Sequence, residues 1–234
     1  EKDAGVTVYN NHFQYYQFGR YCNPFNDMAG YYDKFAYNSL SGFAISTRDN
    51  TSRDNMISLS TKDGSMTSHR WGFTDLGRED GWMISVHTPF SNDPETVIKT
   101  FMKPFCGFHV RIHLVTLSRE YSISEGGFAV GLWDDYRESE AAEQGFTVKT
   151  KELESYISTA SDVGIKYCEM RPNPGTHLMA PYSAYPAYRT DLLSAGKYVF
   201  ASVFGIHKRG KGSQPVVKLD GNAVYLDGER VFEL

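Results

Sequence analysis

Two histidines and an arginine occupy alternate positions in the otherwise apolar segment FHVRIHLV, residues 108–115. Successive side chains of an extended strand point to opposite faces, so His109, Arg111 and His113 share one face and the apolar residues share the other. A guanidinium binds a carboxylate or a sulfate through paired hydrogen bonds, and neighbouring imidazoles can donate further ones. The spacing therefore predicts a polar stripe that is suited to an anion.

A metal ion fits the same stripe less well. Four residues of strand extend over about 13 Å, so His109 and His113 could reach one ion only from opposite sides. Zinc needs its ligands at about 2 Å, and Arg111 would add a positive charge where the cation lies. The sequence therefore predicts no metal site in this stripe.

The anion can come from a ligand or from the protein itself. Glu125 lies in the segment SISEGGF, residues 122–128. If the strand after Tyr121 turns back to pair with residues 108–115, Glu125 forms a cross-strand ion pair with Arg111. The stripe is then architectural, whereas with an external anion the same residues are a substrate-binding site.

Aromatic side chains are dense in three segments that carry turn residues, namely 15–25, 29–35 and 181–188. The last of these, PYSAYPAY, supplies Tyr182 and Tyr185 as candidate substrate-binding residues, because flat aromatic surface with a polar tip suits a sugar ring. The alternative interpretation is that these rings cover the ends of a hydrophobic core.

Period-two alternation and turn dipeptides run along the whole chain, and few stretches have a helical period. Asp63-Gly64, Asp220-Gly221 and Asp227-Gly228 are predicted turns between strands. The acidic segment 134–146 is predicted as an exposed loop or a single helical turn at a sheet edge. The proline-rich segment 171–190 is predicted as a long crossover or surface loop rather than a central strand. We therefore expect an all-β fold, a large antiparallel β-sandwich in which residues 1–234 form a single domain.

Composition excludes several classes of function. A net charge of -4 argues against a nucleic-acid partner held by a general positive field. No apolar run reaches the roughly 18 residues of a membrane span, and no nucleotide-binding or metalloprotease motif predicts a cofactor.

The three cysteines are predicted as buried thiols, since they are odd in number and widely spaced. The opening EKDAGVTV has no initiator Met, so we expect the C-terminal part of a longer chain.

The chain also resembles a known family over roughly residues 30 to 210. The resemblance rests on the segments YDKFAYNSLSGFAIS, GFHVRIHLV, EGGFAVG, NPGTHLMAPYSAYPAY and LLSAGKYVFASVFG. They are similar to the C-terminal part of an uncharacterised bacterial family that joins an α/α toroid to a β-sandwich, in the plan of heparinase II/III-like polysaccharide lyases. The resemblance implies a supersandwich-like domain, a missing N-terminal toroid and an acidic polysaccharide as partner. Where that pattern has a basic residue after Pro181, this chain has Tyr182 and Ser183.

Three hypotheses of function follow, and none assigns a catalytic residue. The first is an accessory or structural domain of a bacterial carbohydrate-active protein that forms one wall of a polysaccharide cleft. The second is a direct contribution to a lyase site, in which Arg111 or a histidine neutralises a uronic-acid carboxylate. The third is a purely structural or dimerisation domain whose stripe is an internal ion-pair ladder. The compartment stays open between cytoplasm and periplasm.

Overall fold

The computed structural model describes residues 42–46, 51–53, 73–87, 93–105, 108–127, 130, 137–170 and 184–234. Most of these residues lie in β-strands. Within these ranges the chain forms sixteen β-strands and no helix. In chain order they are β1 Gly42–Ser46, β2 Thr51–Arg53, β3 Phe73–Glu79, β4 Trp82–His87, β5 Val97–Phe105, β6 Phe108–Leu117, β7 Ser122–Gly126, β8 Glu138–Ala142, β9 Gly145–Lys149, β10 Leu153–Ser161, β11 Ile165–Met170, β12 Tyr185–Thr190, β13 Gly196–Lys208, β14 Val217–Asp220, β15 Ala223–Leu226 and β16 Glu229–Glu233.

The strands form three antiparallel sheets. The largest has eight strands in the order β3-β4-β5-β6-β13-β10-β9-β8, and a second has five strands in the order β11-β12-β7-β1-β2. The C-terminal strands form the third sheet, in the order β14-β15-β16. Each of the paired strands runs antiparallel to its neighbour, so the predicted all-β antiparallel sandwich is confirmed.

The eight-stranded sheet is buried on both faces where β6 and β13 cross its centre. On one face, Val115 of β6 packs in a cluster with Ile123 and Tyr188 of the five-stranded sheet. On the opposite face, Ile112 packs in a second cluster with Val224 of the three-stranded sheet. β-branched and aromatic residues suit these positions because they fill a pleated surface. The result is a three-layered core in which both side-chain sets of FHVRIHLV are covered.

The acidic segment 134–146 differs from its prediction. Part of it is the exposed edge strand β8, which pairs with β9 through a hairpin at Glu143 and Gln144. Like-sign glutamates on an edge strand hinder pairing with another chain, which is a common form of edge protection. For Glu138–Ala142 the predicted exposure is confirmed and the predicted loop or helical turn is wrong, and residues 134–136 lie outside the described ranges.

Part of the proline-rich segment 171–190 is also a strand, since β12 lies between β11 and β7. A residue's N–H and C=O point to the same neighbouring strand, and the carbonyl of Pro186 accepts a hydrogen bond from Gly127. Because β7 ends at Gly126, the missing N–H of Pro186 falls where the ladder stops. The prediction of a crossover is therefore wrong for residues 185–190, and residues 171–183 lie outside the described ranges.

Two predicted turns are confirmed by the backbone. Gly221 (φ 58°) lies between β14 and β15, and Asp227 (φ 50°) with Gly228 (φ 86°) connects β15 to β16. The predicted turn at Asp63-Gly64 lies outside the described residues. Over the part of the chain that the structure covers, no helix has the length and apolar character needed to cross a membrane.

Candidate functional site

Five of the six predicted site residues lie in the described structure, and all five are buried. Arg111 and His113 are 0% exposed, Glu125 and Tyr185 are 1% exposed and His109 is 5% exposed. Tyr182, the sixth, lies outside the described residues. The stripe predicted from FHVRIHLV thus exists as a row on β6, and it faces the interior of the sandwich.

Glu125 brings the stripe together from the opposite sheet. One carboxylate oxygen, Oε1, lies 2.9 Å from His113 Nε2 and 3.3 Å from Arg111 Nη1. On the far side of the imidazole, His113 Nδ1 lies 2.8 Å from Thr100 Oγ1 of β5. We refer to Arg111, His113 and Glu125 as the ionic cluster.

The second oxygen of Glu125 is also occupied. Tyr188 Oη of β12 donates to Oε2 at 3.0 Å, and Ser202 Oγ of β13 donates at 2.5 Å. Ser202 Oγ lies a further 3.1 Å from Thr159 Oγ1 of β10. The carboxylate therefore has four hydrogen-bond partners from both layers, which is what a buried charge needs in order to be tolerated.

An aromatic ring completes the surroundings of the guanidinium. Arg111 Cζ lies 4.5 Å from the centre of the Phe204 ring, within the range of a cation–π contact. The His109 ring is tilted against the same phenyl ring at 6.0 Å. Phe204 belongs to β13, so the contact links the two central strands of the eight-stranded sheet.

Burial and charge act in opposite directions on the cluster. Burial alone raises the pKa of Glu125, but the neighbouring His113 and Arg111 and the hydroxyl of Ser202 hold this pKa below its usual value. Burial and the positive charge of Arg111 hold the pKa of His109 well below its usual value. At neutral pH, Glu125 is therefore an anion and His109 is uncharged.

The predicted partnership of Arg111 and Glu125 is confirmed, but its predicted geometry is wrong. β6 pairs with β5 and β13, and β7 pairs with β1 and β12, so the two strands belong to different sheets. The ion pair crosses the space between layers and does not run along a ladder. Sequence reasoning missed this because a short connection between two strands favours a hairpin.

The substrate-binding role of the six residues stays a prediction. In the described structure Arg111 and His113 both contact Glu125, and none of these three side chains reaches the surface. The structure gives no support for metal binding either, since the described residues contain no group of three or more His, Cys, Asp or Glu side chains that could hold a metal ion.

The eight-stranded sheet carries a polar groove on the face that points away from the ionic cluster, and the sequence analysis did not predict it. It has a volume of about 180 Å³ and lies between β8–β10 and the segment that follows β13. Its lining residues are Glu140, Ala142, Thr147, Lys149, Glu154, Tyr156, Gly212, Ser213 and Gln214. Alternation was the available signal, since Glu154 with Tyr156 and Thr147 with Lys149 are spaced by two in neighbouring strands.

A tyrosine–histidine pair lies beside this polar groove. The rings of Tyr156 and His207 stack at 5.3 Å, and Tyr156 Oη lies 3.0 Å from His207 Nε2. Two glycines leave room for the pair, because a Cβ on Gly205 would lie 1.8 Å from Tyr156 Oη and one on Gly212 would lie 1.9 Å from His207 Cδ2. Burial and the charges of Asp227 and Glu154 raise the pKa of Tyr156, so its hydroxyl keeps its proton.

Comparison with known proteins places the chain in a family. It belongs to the DUF2264 C-terminal domain family, whose model matches residues 9–218. This match confirms the resemblance to a C-terminal β-domain that the motifs predicted. No curated protein sequence matches the chain.

Several solved structures are similar to this chain in fold at low sequence identity. A heparinase III shares 10% identity at a TM-score of 0.48, with 72% of this chain and 28% of that chain covered. A mutant of heparan sulfate lyase HepC from Pedobacter heparinus shares 7% identity at 0.48, with 67% and 26% covered. A polysaccharide lyase shares 12% identity at 0.37, with 76% and 28% covered. The chain thus spans between 26% and 28% of the length of these structures.

Proposed function

We propose that this chain is an accessory β-domain of a longer carbohydrate-active protein, in which it is a rigid wall beside a polysaccharide cleft and contributes no catalytic group. The family to which it belongs is described as a C-terminal domain, which supports a place next to another domain. The motif resemblance to heparinase II/III-like lyases supports carbohydrate as the substrate class.

The single observation that carries the non-catalytic part is that Arg111 and His113 both contact Glu125 inside the sandwich. Arg111 Nη1 and His113 Nε2 lie within hydrogen-bond distance of Glu125 Oε1, and Glu125 Oε2 accepts two hydroxyl hydrogen bonds. A site that awaits an anionic substrate keeps its cation open to the ligand. Here the protein's own carboxylate lies where that ligand would bind.

A direct role of Arg111 in a lyase reaction would need a different arrangement. A uronate carboxylate could bind Arg111 only after Glu125 had moved away and the two sheets had separated locally. Removing one partner of a buried ion pair costs about 3–5 kcal/mol, and a substrate would have to supply that free energy on binding. The accessory role needs no such rearrangement.

The test uses the full-length protein that contains this chain, with a panel of neutral and acidic polysaccharides. We compare wild type, Glu125→Gln and the matched surface control Glu152→Gln for binding or cleavage per folded molecule and for thermal stability. We expect Glu125→Gln to lower the Tm while binding or cleavage per folded molecule stays at the wild-type level. Loss of activity at an unchanged Tm would contradict the accessory role.

A further inference from the structure

Glu154 is a buried carboxylate with only one of its oxygens engaged among the described contacts. The residue is 8% exposed, and its Oε1 accepts a hydrogen bond from the Gly212 N–H at 3.1 Å. The side chain lines the polar groove of Glu140, Thr147, Lys149, Tyr156 and Gln214. The other oxygen, Oε2, is not among the buried side-chain atoms that lack a hydrogen-bond partner, so it is open to the groove, where it can accept from a hydroxyl or amide donor.

The segment that closes the polar groove is held firmly in place. The Arg209 N–H donates to the carbonyl of Glu152 at 2.7 Å, and Arg209 Nη1 donates to the carbonyl of Thr150 at 3.0 Å. Gln214 Nε2 donates to the carbonyl of Ile157 at 3.1 Å. Gly145 leaves the space for this amide, since a Cβ there would lie 1.7 Å from Gln214 Nε2. The polar groove is therefore preformed, as binding sites usually are.

The charges of the lining select the class of ligand. Glu140 and Glu154 outnumber Lys149, so an anionic ligand would be repelled. The Lys149 ammonium contacts the Glu140 carboxylate, so one of the two carboxylates already has its counter-charge in the groove. A groove lined by carboxylates, an amide and hydroxyls gives an apolar ligand little to pack against. Among uncharged ligands, one that is rich in hydroxyl groups matches this lining best.

We infer that this polar groove binds a neutral sugar unit, with the Glu154 carboxylate accepting hydrogen bonds from its hydroxyls. Its volume of about 180 Å³ corresponds to roughly six waters at about 30 Å³ each, which such a ligand would displace. Gln214 and Ser213 on the closing segment supply further polar groups at the rim. The inference deepens the proposed function and rests on it, because it names where this domain contacts carbohydrate and which charge class it selects.

The first experiment is an NMR titration of the isotopically labelled 234-residue chain. The neutral probes are maltotriose, cellotriose and mannotriose, and a heparan sulfate tetrasaccharide is the acidic probe. We expect a neutral probe to shift the backbone amides of Thr147, Lys149, Tyr156, Gly212 and Ser213, and to bind at least about tenfold more tightly than the acidic probe. The absence of shifts with all neutral probes at millimolar concentration, or tighter binding of the acidic probe, overturns the inference.

Variants assign the binding to the groove. Glu154→Gln keeps the shape and removes the charge, and we expect about tenfold weaker binding, which corresponds to about 1.4 kcal/mol. Glu152→Gln, two residues away and exposed, is the matched control and should bind as wild type does. Ser213→Tyr places a ring into the groove from an exposed position, so it blocks binding even if Glu154→Gln fails to fold. Wild-type affinity in a folded Ser213→Tyr variant overturns the inference.

The two proposals fail in distinguishable ways. If the groove variants bind normally while Glu125→Gln loses stability and keeps its activity, the accessory role stands and the sugar site is wrong. If neutral sugar binds in the groove while Glu125→Gln loses activity at an unchanged Tm, the sugar site stands and the non-catalytic role is wrong.

Discussion

His113 Nε2 lies 2.9 Å from Glu125 Oε1, and the two residues come from different sheets of the sandwich. Their contact, together with that of Arg111, ties the eight-stranded sheet to the five-stranded sheet through charge as well as through apolar packing. We expect a buried charge network of this kind to specify how the two layers meet, since a shifted register would separate the charges.

Removing the charge of Glu125 should destabilise the domain strongly. In Glu125→Gln, the buried Arg111 guanidinium loses its carboxylate, and breaking a buried pair costs about 3–5 kcal/mol. Urea unfolding followed by fluorescence measures the free energy of unfolding. Glu152→Gln, at an exposed position, should remain within about 0.5 kcal/mol of wild type. A Glu125→Gln variant as stable as that control would be incompatible with a structural role.

The hydroxyls on the second oxygen of Glu125 should each matter to a smaller extent. Ser202→Ala and Tyr188→Phe each remove one hydrogen bond to a charged acceptor, and such bonds contribute about 1.5–3 kcal/mol. Tyr198→Phe is the control, because its hydroxyl donates to the carbonyl of Ser194 in an exposed bond. Equal losses of stability in Tyr188→Phe and Tyr198→Phe would show that Tyr188 has no special link to the carboxylate.

Stability should fall in two separate windows as the pH is lowered. The pKa of His109 is held well below its usual value of 6.5, so from about pH 6.5 downward the unfolded chain takes up a proton that the native state refuses. The pKa of Glu125 is held below its usual value of 4.5, so its contribution is complete above that pH and is lost as the pH falls through the lower folded value.

Urea midpoints measured from pH 8 to pH 3 check both windows. His109→Gln should flatten the curve between about pH 6.5 and pH 5 and leave the acid limb in place. Glu125→Gln should flatten the acid limb below about pH 4.5. If His109→Gln follows the wild-type slope throughout, His109 takes up its proton in the folded state as readily as in the unfolded chain, and its lowered pKa in the folded state is wrong.

A methyl group at Gly205 should disturb the pair beside the polar groove. The Cβ of Gly205→Ala would lie 1.8 Å from Tyr156 Oη, so the tyrosine must leave its contact with His207. Overpacking of this kind typically costs about 1–3 kcal/mol. Gly164→Ala, where a Cβ would meet nothing within 4 Å, is the matched control for thermal stability. An unchanged Tm in Gly205→Ala would mean that the ring sits elsewhere.

Period-two alternation and turn dipeptides were sufficient to predict much of the fold from the sequence. The alternation in FHVRIHLV correctly predicts a strand with its charged residues on one face, and the Asp-Gly dipeptides correctly mark two C-terminal turns. These features depend on a few neighbouring residues, so a single sequence contains them. The burial of both faces of β6 depends on a third sheet that lies about a hundred residues away along the chain.

Two features could not be predicted from the sequence for the same physical reason: the contact of Glu125 and Arg111 between sheets, and the polar groove. Glu125 and Arg111 are 14 positions apart, and the sequence gives their complementary charges but not which sheet each strand joins. The polar groove likewise combines β8–β10 with residues 212–214, which are brought there by the path of the chain after β13. Long-range pairing of strands decides both sites, and no local period encodes it.

The most direct test of the central claim is a double-mutant cycle between Arg111→Met and Glu125→Gln, read as free energies of unfolding. If the ionic cluster joins the two sheets, each single variant is strongly destabilised and the double variant loses less than the sum by more than about 0.5 kcal/mol. Additive losses within that margin would mean that Arg111 and Glu125 do not interact in the folded domain, and the stripe would again be open to an external anion.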